Sequence, residues 1–323
     1  MFSVAQTPKG TSKKLAAATP TPQTPTTGSQ PGRRRWRSVR PPLWFVLPAL
    51  VIYGFVTLWP AGRGVVYAFT DWDGLSATFG WVGFDNFARV LTEDLGMAAL
   101  RNTLIFAAAV MILQNVLGLL LALALNTTVK SRGVLRTIYF TPVVLTPLVT
   151  GYIWSYLLEP TGTVNTLLKS AGLSELAQNW LGDPKFALGS VIVAYLWQFS
   201  GLSMVIYLAG LQAIPPELTE AAVIDGASPM RRLFSITLPL INGSLVINGL
   251  LTMVTGLGQF DQVYAMTGGG PLHATETIST VIYSKGFQEG DIPYGSALAL
   301  TMTVVVGVLA VLQFRLTSKQ ADR

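Results

Sequence analysis

Residues 217–240 read ELTEAAVIDGASPMRRLFSITLPL, with an apolar run on either side at about 188–211 and 240–259. Three carboxylates and two arginines crowd this one segment of an otherwise oily chain. Pro215 and Pro216 close the run before it and suit the first turn of a new helix, where the missing N–H has no intrahelical partner anyway. Glu217 and Glu220 then stand near the positive end of that helix. Gly226 is placed to cap it, since a residue without Cβ enters positive φ freely. Ser228 and Pro229 repeat the start signal for a short helix with Met230, Leu233 and Phe234 on one side. Pro239 stops or kinks that helix where the next apolar run begins. The pattern predicts two short helices joined at a glycine. By its residues alone this elbow is either a connector lying on a membrane or a surface to which a partner attaches.

The flanking runs set the fold class. The chain of 323 residues is 50% hydrophobic and 12% charged, with mean hydropathy +0.49, where a soluble domain carries about 25% charge. Segments long enough to cross roughly 30 Å of hydrocarbon occur at about 43–67, 102–126, 138–158, 188–211, 240–259 and 295–315. Backbone groups in lipid must be satisfied within their own element, so each run is expected to be a helix. The expected fold is an all-α integral membrane protein with six spans. Arg63, near the end of a first span that also holds Pro48, Pro60 and Gly62, should snorkel or face protein. Pro142 and Pro147 should bend the third span. The absence of cysteine excludes disulfides and thiolate metal sites, and a single histidine, His273, cannot build a histidine cluster.

Charge gives the expected orientation. Residues 1–43 carry eight Lys or Arg and no acid, and read as a disordered basic cytoplasmic tail whose RRRWRSVR end anchors on anionic lipid rather than on nucleic acid. With that tail inside, 16 of the 22 basic residues fall on the cytoplasmic side and 12 of the 16 acids on the outside. Six spans then put both termini in the cytoplasm, with a transmembrane domain over 44–317, a cytoplasmic segment at 213–239 within it, and a tail at 318–323. Trp72, Trp81, Trp180 and Tyr294 fall near span ends, where amphipathic rings suit the interface. Asp71, Asp73, Asp85 and Trp72 form either a solvated outer connector or a docking surface.

The segment EAAVIDGASPMRRLFSITLP at 220–239 resembles the EAA motif of the membrane subunits of bacterial ABC importers, matching at Glu220, Ala221, Ala222, Gly226, Ile236, Leu238 and Pro239. FVLPAL, AFTDWDG, WVGFDNF, RNTLIF, LAGLQAIPPEL and FDQVYAMTGGGP are similar to the maltose-permease-like carbohydrate importers, the group holding the MalF-like and glycerol-phosphate permeases. The resemblance runs from about Pro41 to Thr317. It implies a six-span permease in a bacterial cell membrane that works with a second homologous permease subunit, two ATPase subunits and an extracytoplasmic sugar-binding protein or lipoprotein. It also implies that Glu220, Ala221, Ala222, Asp225, Gly226, Ile236, Leu238 and Pro239 couple to the ATPase.

The chain has no G-x-x-x-x-G-K-[ST] loop, and Gly268–Gly270 lead into Pro271, so it is expected to bind no nucleotide; ATP and Mg belong on the partner ATPases. Ser244, Asn248, Thr252, Thr255 and Gln259 share a sector of about 80° at 100° per residue, a polar stripe that either glues helices together or lines a solute path. Gln198, Ser203 and Tyr207, on the fourth span, supply a second surface of the same kind. Gln114 and the adjacent Asn115 point different ways, so at least one serves helix packing. The solute is expected to be a di- or oligosaccharide of the trehalose or maltose sort, with glycerol phosphate or another polar solute as the alternative. An ion-driven carrier or channel would leave the elbow without a role, and a passive scaffold would make polar replacements along the fifth span affect assembly alone.

Overall fold

The computed structural model describes residues 44, 46–127 and 130–321; the expected basic tail over 1–43, with its RRRWRSVR end, and the last two residues of the expected tail at 318–323 lie outside the described residues. The chain divides into Met1–Val51 and Ile52–Arg323. The described part of the first is essentially the opening of helix α1 (Leu47–Tyr67).

Regular structure among the described residues is helical, apart from an isolated antiparallel bridge between Thr70 and Trp81. Beyond α1 the chain forms α2 (Asp85–Thr92), α3 (Asp94–Leu125), α4 (Arg132–Phe140, prolonged by a 3₁₀ turn at Thr141–Val144), α5 (Pro147–Leu157) and α6 (Thr163–Ser170). It continues through α7 (Pro184–Gln212), α8 (Pro216–Ile224), α9 (Pro229–Leu240), α10 (Asn242–Leu257), α11 (Asp261–Thr267), α12 (Ile278–Val281, with π turns at Ile282–Gln288) and α13 (Ile292–Ala321). Among the described residues four helices, α1, α3, α7 and α13, are long and apolar enough to cross a bilayer, or up to six spans if each bent pair counts as one.

The bends fall where the prolines were expected to place them, and they are sharp. Between α4 and α5 the direction changes by 99°. Leu145 and Thr146 are extended, at ψ 144° and 140°; Thr146 is so because a residue preceding proline is driven out of the α region, and Pro147 starts a new helix. Between α9 and α10 the bend is 72°, at Ile241 two residues after Pro239. Arg63 stays close to its own helix, donating to the Tyr67 hydroxyl at 3.2 Å and lying over the Trp59 ring.

Helix α7 is the centre of the assembly. Its apolar window is 61% buried, against 28% for α3 and 17% for α13. Phe106, Val110, Val191 and Tyr195 form one core between α3 and α7; Ala122, Met204, Tyr207, Leu208 and Ile241 form another toward the elbow. In lipid, water exclusion does not drive helices together, so contact distance and hydrogen bonds carry the packing. Gly118 provides that distance: a Cβ there would meet the Ser203 Cβ at 2.4 Å, so a side chain at 118 would push α3 off α7.

Candidate functional site

The elbow folds as its residues dictate. Helix α8 begins with Pro216 at its first position and ends at Asp225. Gly226, the residue after that cap, has φ +72°. Its N–H donates to Val223 O and the Ala227 N–H to Ala222 O, both at 3.0 Å, the paired bonds of a Schellman ending. The Ser228 side chain then accepts from the Arg231 N–H to cap α9. Glu220, Ala221, Asp225 and Gly226 are exposed on this knob, while Ala222 packs inward. Ile236 and Leu238, half-buried, and the exposed Pro239 sit on α9, which leads into α10. The knob also exposes apolar side chains: Leu218, Val223, Met230, Phe234 and, at 85%, Ile224.

Above the elbow, buried polar groups tie three helices together. Asn115 of α3 uses every donor and lone pair it has. Its amide nitrogen donates to Thr252 Oγ1 at 2.8 Å and to Met111 O. Its oxygen accepts from Asn248 Nδ2 at 2.9 Å and from the Tyr207 hydroxyl. Ser203 of α7 donates to Asn248 Oδ1 at 3.3 Å and accepts from Gln114 Nε2 at 2.9 Å. Asn248, Ser203 and Tyr207 are fully buried. A separate amide chain runs from Gln259 through Gln262 to Gln198, which donates to Leu145 O at the break before α5.

The sequence-derived stripe therefore divides. Ser244 lies against α7 where a Cβ on Gly210 would meet its hydroxyl at 2.4 Å, a packing contact. Asn248, Ser203, Tyr207 and Gln198 are held in protein-to-protein hydrogen bonds. Helix α10 ends at Leu257, so Gln259 lies beyond the helix face onto which a 100° rotation projected it. Thr252, Thr255 and Gln259 do come together, in the wall of a cavity of about 360 Å³ between α3, α5, α7 and α10. Gln114, Tyr195, Phe199, Phe260 and Asp261 share that wall, and among the described residues no lysine or arginine does.

The Tyr195 hydroxyl donates to Thr255 Oγ1 at 3.1 Å, and Thr255 in turn donates to Leu251 O. Gln114 differs from its neighbours in the wall. Its nitrogen donates to Phe199 O at 3.1 Å as well as to Ser203, but its Oε1 is buried with no hydrogen-bond partner. Leaving a buried acceptor unmatched costs about 1–3 kcal/mol. The aromatic members of this wall escaped the sequence reading because Tyr195 and Phe199 carry no signal that separates them from ordinary span residues; only their four-residue spacing puts them on one helix face.

The family described as "Binding-protein-dependent transport system inner membrane component" matches residues 114–320. The chain belongs to that family. This permease is 32% identical over 279 residues to the multiple sugar-binding transport system permease protein of Streptococcus mutans, covering 85% of this chain and 94% of that one. It is 34% identical over 284 residues to the sn-glycerol-3-phosphate transport system permease protein of Yersinia pestis, covering 86% and 94%. The permease also has the fold of a subunit in the crystal structure of a bacterial ABC transporter that imports the acidic polysaccharide alginate, with a TM-score of 0.75, 24% identity, and coverage of 86% of this chain and 95% of that one. The family match begins at Gln114 and takes in both the elbow and the cavity residues of α7 and α10.

Proposed function

We propose that this permease forms, with a second permease subunit, the membrane path of an ATP-driven importer for a neutral di- or oligosaccharide. In this reading both termini and the elbow face the cytoplasm, each bent pair is one span, and the total is six. Two ATPase subunits, which bind the ATP and Mg, dock on the knob through Glu220, Ala221, Asp225 and Gly226. An extracytoplasmic binding protein or lipoprotein delivers the sugar to the other side. ATP binding draws the ATPases together and displaces α8. The motion passes through α9 to α10, whose outer turns wall the cavity, and alternates access to it. The hydrogen bonds around Asn115 join α3, α7 and α10, so that α10 moves as a lever instead of dissipating the displacement.

The cavity wall carries this reading: among the described residues it offers aromatic faces, hydroxyls and amides beside one carboxylate, Asp261, and no cation. Aromatic planes stack on sugar rings, and uncharged polar groups exchange hydrogen bonds with sugar hydroxyls easily enough for the solute to leave. A phosphate ester is the second reading, favoured by the glycerol-3-phosphate relative. It would place a dianion beside Asp261 without a counter-charge. The exposed apolar knob, with Ile224 at its tip, is the kind of surface that a partner covers.

Copurification of the complex, followed by ATPase assays with the binding protein and a panel of solutes, tests the proposal. Stimulation by one or more neutral di- or oligosaccharides is expected. Stimulation by glycerol phosphate alone would transfer the assignment to the second reading, and solute flux without any ATPase would remove the elbow's assigned role.

A further inference from the structure

We propose that Phe260, Tyr264, Tyr283 and Phe287 form a sugar-stacking track that leads into the cavity, and that the solute carried best is an oligosaccharide longer than a disaccharide. This rests on the sugar-import reading and narrows its substrate class. The four rings touch in series. Phe260 stacks on Tyr264 with centroids 5.1 Å apart, Tyr283 meets the faces or edges of both at 5.4 Å, and Phe287 lies a further 6.4 Å beyond Tyr283. One end of the series is the cavity wall itself, because Phe260 lines it. The other end is open: Tyr264 and Tyr283 are each 36% exposed and Phe287 is 79% exposed. Phe260 follows the last turn of α10, so the track leaves the cavity at the end remote from the elbow.

The track is built before any solute arrives. Tyr264 is on α11, and Tyr283 and Phe287 are on the π turns after α12. The Thr277 hydroxyl, at the start of α12, donates to Gln259 O at 2.9 Å, which holds the two halves together beside Phe260. The Ile278 N–H donates to Thr103 Oγ1 at 2.9 Å and secures the same turn to α3. Rings fixed in this way offer flat apolar area at little cost in side-chain freedom, and their hydroxyls remain at the edge for polar contacts. A sugar ring has a C–H face to lay on such a plane; a phosphate group has none. A chain with one ring in the cavity reaches Phe287 only by passing Tyr283, so a solute of at least three rings is needed to use the whole track. A second exposed aromatic group, Tyr67, Trp72, Phe79 and Trp81, follows α1. It shares no residue with the cavity wall, and its place after a span suits the membrane interface.

The test uses the assembled importer in proteoliposomes with its binding protein. Uptake of maltose and maltotriose, and of cellobiose and cellotriose, is measured in the wild type, in Phe287→Leu and in Phe287→Trp. The ratio of three-ring to two-ring uptake is compared between permeases, so the binding protein's own preference cancels. Leucine keeps apolar bulk and loses the flat face, and the ratio should fall about fivefold; tryptophan keeps the face, and the ratio should stay at the wild-type value. A ratio unchanged in Phe287→Leu, whether uptake of both sugars falls or neither does, overturns the inference. So does a Phe287→Leu complex that fails to assemble, since a ring this exposed in the isolated subunit would then belong to a subunit interface. A wild-type complex that carries only the two-ring sugars also overturns it and leaves the sugar-import reading standing. An ATPase-active complex that carries none of the four sugars removes that reading and the track together.

Discussion

Gln114 and Asn115 are adjacent in sequence, on one helix, and chemically almost identical, yet they belong to two different regions. Asn115 sits where α3, α7 and α10 meet and has every hydrogen-bonding position filled by protein. Gln114 lines the cavity as a residue, but its Oε1 is buried with no hydrogen-bond partner. Polarity alone made them look alike.

Substitutions can break or sharpen that contrast. The largest effect is expected from Asn115→Leu, which strands Asn248 Nδ2 and the Tyr207 hydroxyl at once. It should lower unfolding stability in detergent by about 2–4 kcal/mol, and a loss below that of Tyr207→Phe would contradict the role given to Asn115. Tyr207→Phe removes one donor while Asn248 still serves the same oxygen, so about 1 kcal/mol is expected in the same assay. Gln114→Met discards two donated bonds together with an unmatched acceptor, and these nearly offset; its stability should stay within about 1 kcal/mol of wild type. Ser244→Ala, which trims a packing contact against Gly210, should fall within about 0.5 kcal/mol. If the order of Asn115 and Gln114 were reversed, the two regions would have been misassigned.

How far these regions could be read beforehand follows from what each signal depends on. The elbow was legible because its residues act locally: Pro216, Gly226, Ser228 and Pro229 each impose a backbone state without help from distant parts of the chain. Helix α7 was placed within a few residues for a similar reason, with Asp183 capping its start. The sharp break at Leu145 and Thr146 was foreseen only as a bend, because two prolines announce an interruption but not its angle. The stripe on α10 was read by rotating a helix onward to Gln259, and the helix stops at Leu257. Whether Asn248 or Thr255 faces the path depends on the partners that α3 and α7 bring, over 60 residues or more of sequence. Periodicity carries no such information.

The central claim is that displacement of the elbow reaches the cavity through α9 and α10. The natural chain has no cysteine, so Thr255→Cys gives a single thiol in the cavity wall, to be labelled with a membrane-impermeant reagent from the extracytoplasmic side in the reconstituted complex. Nucleotide binding should change its labelling rate about tenfold. Adding Gly226→Pro, which removes the Val223-bonded N–H and forbids φ +72°, should abolish that change while the basal rate remains. A labelling rate indifferent to nucleotide, or one that responds equally with the Gly226→Pro elbow, would contradict the account.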